Sequence, residues 1–168
     1  QAQQLIPAPP ELAAKSWILI DAETGHIIIE SNADLPLPPA SLVKMMTTYI
    51  VSNEIAEGRV KKDDMVLISD NAWEKGGAKT DGSTMFLNPR TRVSISDLMR
   101  GVIIQSGNDA SIALAEHISG DEDAFADSMN QQAALLGMTS TEYFNATGLP
   151  YDGMVSTARD LSLLARAI

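Results

Sequence analysis

Apolar residues form two short, uninterrupted runs near the start of the chain, at 17–20 and 27–29. A turn containing Gly25 separates them, and aliphatic runs on both sides of such a turn predict a β-hairpin over 16–30. Because the apolar positions are continuous rather than alternating, we expect both faces of this hairpin to be covered. Two strands alone are only marginally stable in water, so the pattern predicts that the hairpin belongs to a larger sheet.

Apolar residues at helical spacing follow from residue 40 onward. Pro38-Pro39 before this segment and Gly58 after it predict a helix over 40–57. A cap at Ser94 or Ser96 predicts a second helix that runs to about residue 105, and we expect 98–105 to be buried on most sides. Further predictions are helices at 108–119, 121–136 and 157–168, an interruption at Gly107, a short strand at 65–68, a long loop at 71–89 and a Pro-rich extended lead-in at 1–12.

Composition and charge narrow the class of protein. The chain has 168 residues, of which 45% are hydrophobic and 20% charged, as in one globular domain or a large piece of one. Lysine and arginine total 12 against 22 acidic residues, so the net charge of −10 argues against binding to nucleic acid or to an anionic bilayer. No cysteine is present, which excludes disulfides, thiol chemistry and thiolate metal sites.

Ser41 and Lys44 stand three residues apart at the start of the predicted helix 40–57. That spacing places a hydroxyl and an amine on the same helical face, so Lys44 can act as the base that activates Ser41 as a nucleophile. Burial of Lys44 would lower its pKa toward the range in which the amine is neutral. The alternative is a helix cap followed by a surface lysine, because Ser-x-x-Lys is common by chance.

Ser106-Gly107-Asn108 forms a second polar group within an apolar segment. A helix broken at Gly107 would bring the Ser106 and Asn108 side chains to one interior point. The alternative is an ordinary turn between helices, with Gly107 as breaker and Asn108 as cap. The two short motifs together favour an acyl-transfer enzyme.

The remaining candidates for metal or triad chemistry are weak. His26 and His117 are the only histidines, and no third ligand accompanies them, so the sequence predicts neither a zinc site nor another cofactor. A Ser-His-Asp triad also lacks a histidine positioned as its base.

Longer segments around these motifs resemble a known family. The chain is similar to the low-molecular-mass penicillin-binding proteins of the serine-type D-alanyl-D-alanine carboxypeptidase family, which share a fold with the serine β-lactamases. A Gly rather than an Asp in the middle of the second motif favours the carboxypeptidases over class A β-lactamases. The similar segments are 17–21, 39–47, 104–110, 136–138, 144–149 and 156–161.

The resemblance implies both a fold and a set of roles. The fold is an α/β (α+β) sandwich of the β-lactamase/transpeptidase-like type, an antiparallel sheet with helices, of which this chain supplies the first two strands and most of the helical region. Ser41 is then the acylated nucleophile, Lys44 its base and Ser106 a proton relay, while Asn108 and Gly107 bind substrate. The implied reaction removes the terminal D-alanine from peptidoglycan stem peptides, and β-lactams acylate the same serine.

Location and alternatives follow from the same resemblance. A chain that begins at Gln1 without an initiator Met suggests either a mature protein after removal of a signal peptide or a chain trimmed at its start. The resemblance implies a periplasmic protein, whose full-length relatives carry a C-terminal anchor in the inner membrane. The alternatives are a D,D-endopeptidase of the same fold and a catalytically silent segment that needs a complementary chain.

One family element is not found. The family's Lys-Thr-Gly motif lies downstream of the second motif, whereas the only Lys-Thr here is Lys79-Thr80, followed by Asp81 and placed between the first two motifs. We therefore expect residues 1–168 to form an incomplete catalytic domain, with a lead-in at 1–15, a hairpin at 16–30 and a helical region at 40–168. The remaining strands and the Lys-Thr-Gly element would come from the C-terminal remainder of the domain. In one version of this hypothesis, that remainder is a separate chain.

Overall fold

The predicted hairpin forms near the start of the chain in the computed structural model, which describes residues 6–168. Strand β1 (Trp17–Ile20) pairs antiparallel with β2 (Ile27–Ser31), with an irregularity between Leu19 and Ile20. The predicted lead-in has no helix or strand from residue 6 to 15, and its first five residues lie outside the described part.

The hairpin is not covered on both faces within residues 6–168. In this part of the chain β1 and β2 make a two-stranded sheet, and Leu19, Ile27 and Ile28 remain 52%, 41% and 59% exposed. The expectation of two covered faces is therefore wrong for the described residues. The larger sheet stays a prediction.

Six helices and a second small sheet account for the rest of the fold in the described residues. The helices are α1 (Val43–Ala56), α2 (Asp70–Trp73), α3 (Ile95–Gln105), α4 (Asn108–Ser119), α5 (Glu122–Leu135) and α6 (Ala158–Ala167). Strand β3 (Met65–Leu67) pairs antiparallel with β4 (Arg92–Ser94). Side chains at the positions before the helices cap four of them: Ser69, Ser94, Asp121 and Thr157 each accept a hydrogen bond from a backbone N–H of the first turn.

The segment predicted as a long loop at 71–89 is partly helical. Ser69 caps α2 by accepting from the Ala72 backbone N–H at 2.9 Å, and Ala72 is fully buried. A π-helical turn (Glu74–Ala78) continues directly from α2. The loop prediction was wrong for residues 71–78 because Gly76 and Gly77 look like loop residues, whereas Gly76 allows this turn to pack directly against the backbone of Asp109.

Helix α4 lies between two hydrophobic clusters. One cluster packs α1, α5 and α6 around Met46, Phe125 and Tyr143, and the other packs α3, α4 and β3 around Ile68 and Leu98. All of α4 from residue 108 to 115 is buried, which fixes the start of this helix firmly in the interior. Among residues 6–168, no helix combines the length and the apolar character needed to cross a bilayer.

The prediction that residues 98–105 are buried on most sides is wrong. Leu98 and Val102 are buried, but Ile103 and Ile104 are 68% and 77% exposed. Helix α3 therefore buries one side and exposes apolar side chains on the other, and Ile103 on the exposed side lines the groove described next.

Candidate active site

Ser41 lies in a short 3-10 turn (Ala40–Leu42) that leads directly into α1. Its side chain is exposed, as is that of Leu42, whereas Val43 and Lys44, two and three residues further on, are buried. Ala40 has a φ of +49°, a left-handed conformation that is uncommon for a residue with a Cβ and often marks a functional site. The turn thus presents the Ser41 hydroxyl to solvent at the end of a buried helix.

Lys44 points back from α1 toward Ser41. Its amine lies 3.5 Å from the Ser41 hydroxyl oxygen and donates a 2.6 Å hydrogen bond to the backbone carbonyl of Thr147. The residue is only 6% exposed. The structure therefore brings together the hydroxyl and amine of the first motif, in the arrangement required of a nucleophile and its base.

Burial lowers the pKa of Lys44 from 10.5 to about 8, because desolvation disfavours the charged ammonium. At pH 7 the neutral fraction of the amine rises from about 0.03% to about 9%, roughly 300-fold. A neutral amine can accept a proton from a hydroxyl, so the environment of Lys44 suits a general base.

Ser106 ends α3 in a left-handed conformation, with a φ of +55°. The predicted interruption at Gly107 is confirmed: α4 begins at Asn108, and Gly107 before it is extended with a φ of −63°, so that the left-handed residue of the break is Ser106 rather than the glycine. The Ser106 hydroxyl is buried, and within residues 6–168 it has no hydrogen-bond partner. A buried, unpaired hydroxyl is unusual in a folded protein and is consistent with a chemical role.

Asn108 begins α4 and is 4% exposed. Its backbone N–H donates to the Ser83 carbonyl at 2.9 Å, and its side-chain amide lies against Gly82, where an added Cβ would be 2.5 Å from Nδ2. In the described part of the chain, the hydrogen bonds of the Lys44 side chain go to Ser41 and Thr147 rather than to Asn108.

A groove of about 370 Å³ joins Ser41, Lys44 and Ser106, whereas Gly107 and Asn108 are not among the residues that line it. Its walls come from α1, α3 and the last residue of the chain, and they include Ser41, Lys44, Met45, Val102, Ile103 and Ser106. The groove places a candidate nucleophile, a candidate base and a free hydroxyl along one surface that substrate can reach.

Sequence reasoning missed two residues that build this site. The Thr147 carbonyl is the closest partner of the Lys44 amine, and the Asp109 carboxylate accepts from the backbone N–H groups of Met85 and Leu87 at 2.8 and 3.0 Å. A backbone carbonyl 103 residues away has no signature in the sequence. Asp109 follows Asn108 directly, and a carboxylate just inside a buried helix start was an available signal.

Comparison with known proteins shows the family of this chain. The sequence profile described as D-alanyl-D-alanine carboxypeptidase matches residues 3–168. The chain belongs to this family. It is 45% identical over 168 residues to the D-alanyl-D-alanine carboxypeptidase DacC of Escherichia coli, covering 99% of this chain and 42% of that protein.

A solved structure and a second relative extend the comparison. Penicillin-binding protein 5 from Haemophilus influenzae superimposes with a TM-score of 0.91 at 40% identity, covering 95% of this chain and 46% of that one. The D-alanyl-D-alanine endopeptidase of Pseudomonas aeruginosa is 32% identical over 163 residues, which are 95% of this chain and 48% of that protein. The chain thus spans less than half the length of these relatives. The predicted fold is confirmed: it is the N-terminal part of an α/β (α+β) domain of the β-lactamase/transpeptidase-like type, with antiparallel strands and helices.

Proposed function

We propose that this chain carries the nucleophile and base of a serine-type D-alanyl-D-alanine carboxypeptidase. The observation that carries the proposal is the Lys44 amine, buried, shifted toward neutrality and 3.5 Å from the Ser41 hydroxyl. Membership of the family supports the choice of substrate, a peptidoglycan stem peptide that ends in D-Ala-D-Ala.

The proposed reaction begins when neutral Lys44 removes the proton from the Ser41 hydroxyl. The serine oxygen attacks the carbonyl carbon between the two D-alanines, and the Ser41 backbone N–H stabilises the oxyanion. The C–N bond then breaks, Ser106 transfers its proton to the leaving D-alanine amine and takes the proton held by Lys44, so that an ester to Ser41 remains and Lys44 is neutral again. Water, deprotonated by Lys44, hydrolyses the ester and regenerates the serine. A β-lactam would acylate Ser41 by the same first step.

Asn108 and Gly107 are proposed to bind the substrate backbone. The Asn108 amide is held at the start of α4 by its own burial and by the loop around Gly82 and Ser83. A fixed amide offers both a donor and an acceptor to a peptide, which suits recognition of the stem peptide.

We further propose that residues 1–168 form the helical part of a catalytic domain whose remaining strands carry the Lys-Thr-Gly element. Exposed apolar side chains on the hairpin, Leu19, Ile27 and Ile28, support this proposal, since they leave the faces of the sheet to be covered by further parts of the domain. A periplasmic location fits a family that acts on the cell wall. A separate chain could supply the missing element.

The test is acylation of the chain by a labelled penicillin, read by intact mass and peptide mapping. The chain is tested alone and together with a segment that carries the remaining strands, with Ser41→Ala, Lys44→Met and the matched control Ser52→Ala on the same helix. We expect Ser41 to be labelled when the segment is present, with no labelling in Ser41→Ala, a rate about 10²–10⁴ lower in Lys44→Met and an unchanged rate in Ser52→Ala.

Three outcomes would contradict parts of this proposal. Labelling of the Ser41→Ala variant would remove Ser41 as the nucleophile. Failure to label even with the added segment would favour the catalytically silent alternative. Stoichiometric labelling of Ser41 in the chain alone would show that the added strands are not needed for acylation.

Endopeptidase activity is the second candidate, and the endopeptidase of Pseudomonas aeruginosa among the relatives supports it. The product distinguishes the two reactions. Free D-alanine from a pentapeptide indicates a carboxypeptidase, whereas separation of two cross-linked stem peptides indicates an endopeptidase.

A further inference from the structure

The carbonyl that receives the Lys44 amine belongs to a tight turn organised by Asn145. The Asn145 side-chain oxygen accepts from the Gly148 backbone N–H at 2.8 Å and from the backbone N–H and hydroxyl of Thr147 at 3.2 and 3.3 Å. Its side-chain nitrogen donates to the Leu149 carbonyl at 3.0 Å. One amide therefore satisfies groups on three successive residues of the turn.

The geometry of one peptide unit connects Asn145 to Lys44. The Thr147 carbonyl and the Gly148 N–H belong to the same planar peptide group and point in opposite directions. When the Gly148 N–H is fixed on Asn145, the Thr147 carbonyl is fixed on the other side, where it accepts from the Lys44 amine at 2.6 Å. Rotation of this peptide would break both hydrogen bonds together.

Among the described residues, and apart from Lys44, Asn145 is the side chain that hydrogen-bonds to this peptide plane. The Leu149 N–H donates to the Thr147 hydroxyl at 3.1 Å, outside the plane, and Gly148 packs against the Ala40 carbonyl without a hydrogen bond. The Thr47 hydroxyl donates to the preceding carbonyl, that of Ala146, at 2.8 Å, and the Ala146 N–H donates to Glu122 at 3.4 Å. Both contacts locate Ala146 without restraining the next peptide plane. Asn145 is the side chain that restrains it.

We propose that Asn145 is a positioning residue, which holds the Thr147 carbonyl as the fixed acceptor for the Lys44 amine. A neutral amine has two N–H donors and one lone pair. When one N–H of the Lys44 amine points at the Thr147 carbonyl, the lone pair can take only a limited range of directions. That range includes the direction of the Ser41 hydroxyl. Asn145 thus acts through Thr147 on the base, and it does not itself contact the reacting atoms.

The inference rests on the proposed role of Lys44, so its test begins with a measurement that needs no catalysis. The full chain is labelled with ¹³C at the lysine Cε, the Lys44 signal is assigned with the Lys44→Met variant, and its titration is followed by NMR. A carbonyl acceptor favours the charged amine, so loss of a fixed acceptor should lower the pKa further. We expect the midpoint for Asn145→Ala to fall by about one pH unit.

Asn130 provides the matched control. Its amide donates to the Tyr143 carbonyl and accepts from the Tyr143 N–H, both at 2.8 Å, so it anchors the same segment two residues before Asn145. Both asparagines are half-buried. Asn130→Ala should loosen the segment but leave the Lys44 midpoint unchanged.

Acylation by a labelled penicillin gives the second measurement, made with the complementing segment. If Asn145 only influenced the charge of Lys44, its loss would make the amine more neutral and acylation at pH 7 faster. A positioning role predicts the reverse, a rate at least about tenfold lower, because the base is misdirected.

The outcomes separate this inference from the proposed function. A fall in the midpoint for Asn145→Ala alone supports the conclusion that Asn145 fixes the Thr147 carbonyl, even if the protein proves not to be acylated. Where acylation is measured, a faster rate for Asn145→Ala at pH 7 overturns the positioning role. An unchanged midpoint, or an equal fall in Asn130→Ala, overturns it. Should Asn145→Ala fail to fold, Asn145→Ser keeps one acceptor in the turn, and we expect a smaller fall in the same direction. No fall in that variant would also overturn the inference.

Discussion

Gly148→Ala tests how closely the 145–149 turn and the nucleophile turn depend on each other. Gly148 has a φ of +85°, and a Cβ placed there would overlap the Ala40 carbonyl and lie 3.1 Å from the Ser41 backbone nitrogen. The substitution therefore combines an unfavourable backbone conformation with a steric conflict at the residue before the nucleophile.

The expected magnitude is the sum of two separable costs. A left-handed conformation costs an L-residue about 1–2 kcal/mol. Forcing an extra methyl group into a packed contact typically costs about 1–3 kcal/mol more, here against backbone atoms that cannot change rotamer. We therefore expect Gly148→Ala to lower the free energy of unfolding by about 2–5 kcal/mol.

Gly58→Ala isolates the first of these costs. Gly58 has a similar φ of +74°, but nothing lies within 4 Å of a Cβ placed there. Its substitution should cost only about 1–2 kcal/mol. The difference between the two variants, about 1–3 kcal/mol, measures the contact between Gly148 and the Ala40 carbonyl.

Urea unfolding followed by circular dichroism provides the measurement, with the slope m compared among the wild-type chain and both variants. Equal m-values would allow the midpoints to be read as differences in stability. If the two alanine variants lose the same stability, the close packing of Gly148 against the Ala40 carbonyl does not hold, and the dependence of the two turns on each other is refuted.

Three further predictions concern the same region. Below pH 8 Lys44 is charged in both the folded and the unfolded chain, whereas between about 8 and 10.5 only the unfolded chain retains the proton. The unfolding free energy of the wild type, measured relative to Lys44→Met, should therefore rise by about 1–3 kcal/mol as pH increases through this window. A difference that does not change with pH would contradict burial of the amine. Acylation of Ser41, measured with the complementing segment, should increase about tenfold per pH unit below pH 8 and level off above it, and a pH-independent rate would exclude Lys44 as the base. Asp109→Asn places an amide NH₂ against a backbone N–H, so we expect it to lower the free energy of unfolding in urea by about 1–3 kcal/mol. The control Asp97→Asn, at an exposed ion pair, should lower it by less than about 0.5 kcal/mol, and equal losses would contradict the role of Asp109.

Most of the helices could be predicted because a cap and the apolar spacing that follows it depend only on residues close together in the sequence. Ser94 and Asp121 cap helices where a polar side chain precedes an apolar helical pattern, and the structure contains these caps. The Ser41–Lys44 spacing is equally local. One helical turn brings the two groups into proximity whatever the rest of the chain does.

Features that depend on distant contacts could not be predicted in this way. Strand β4 exists because it pairs with β3, and its three residues carry no strong signal of their own. The left-handed break falls on Ser106 rather than on Gly107, although glycine has the greater freedom to adopt it. The outer side of α3 is exposed because, within residues 6–168, no other element covers Ile103 and Ile104, which a local apolar pattern does not reveal.

The kind of partner that Lys44 has is as important as its burial. A carboxylate at the position of the Thr147 carbonyl would stabilise the ammonium form and hold the pKa of Lys44 high. A carbonyl carries no full charge, so it favours the ammonium form far less than a carboxylate would, and among the described residues desolvation outweighs it and lowers the pKa. The turn therefore anchors the amine without fixing its charge, which is the property that a lysine needs to exchange a proton with Ser41 near neutral pH.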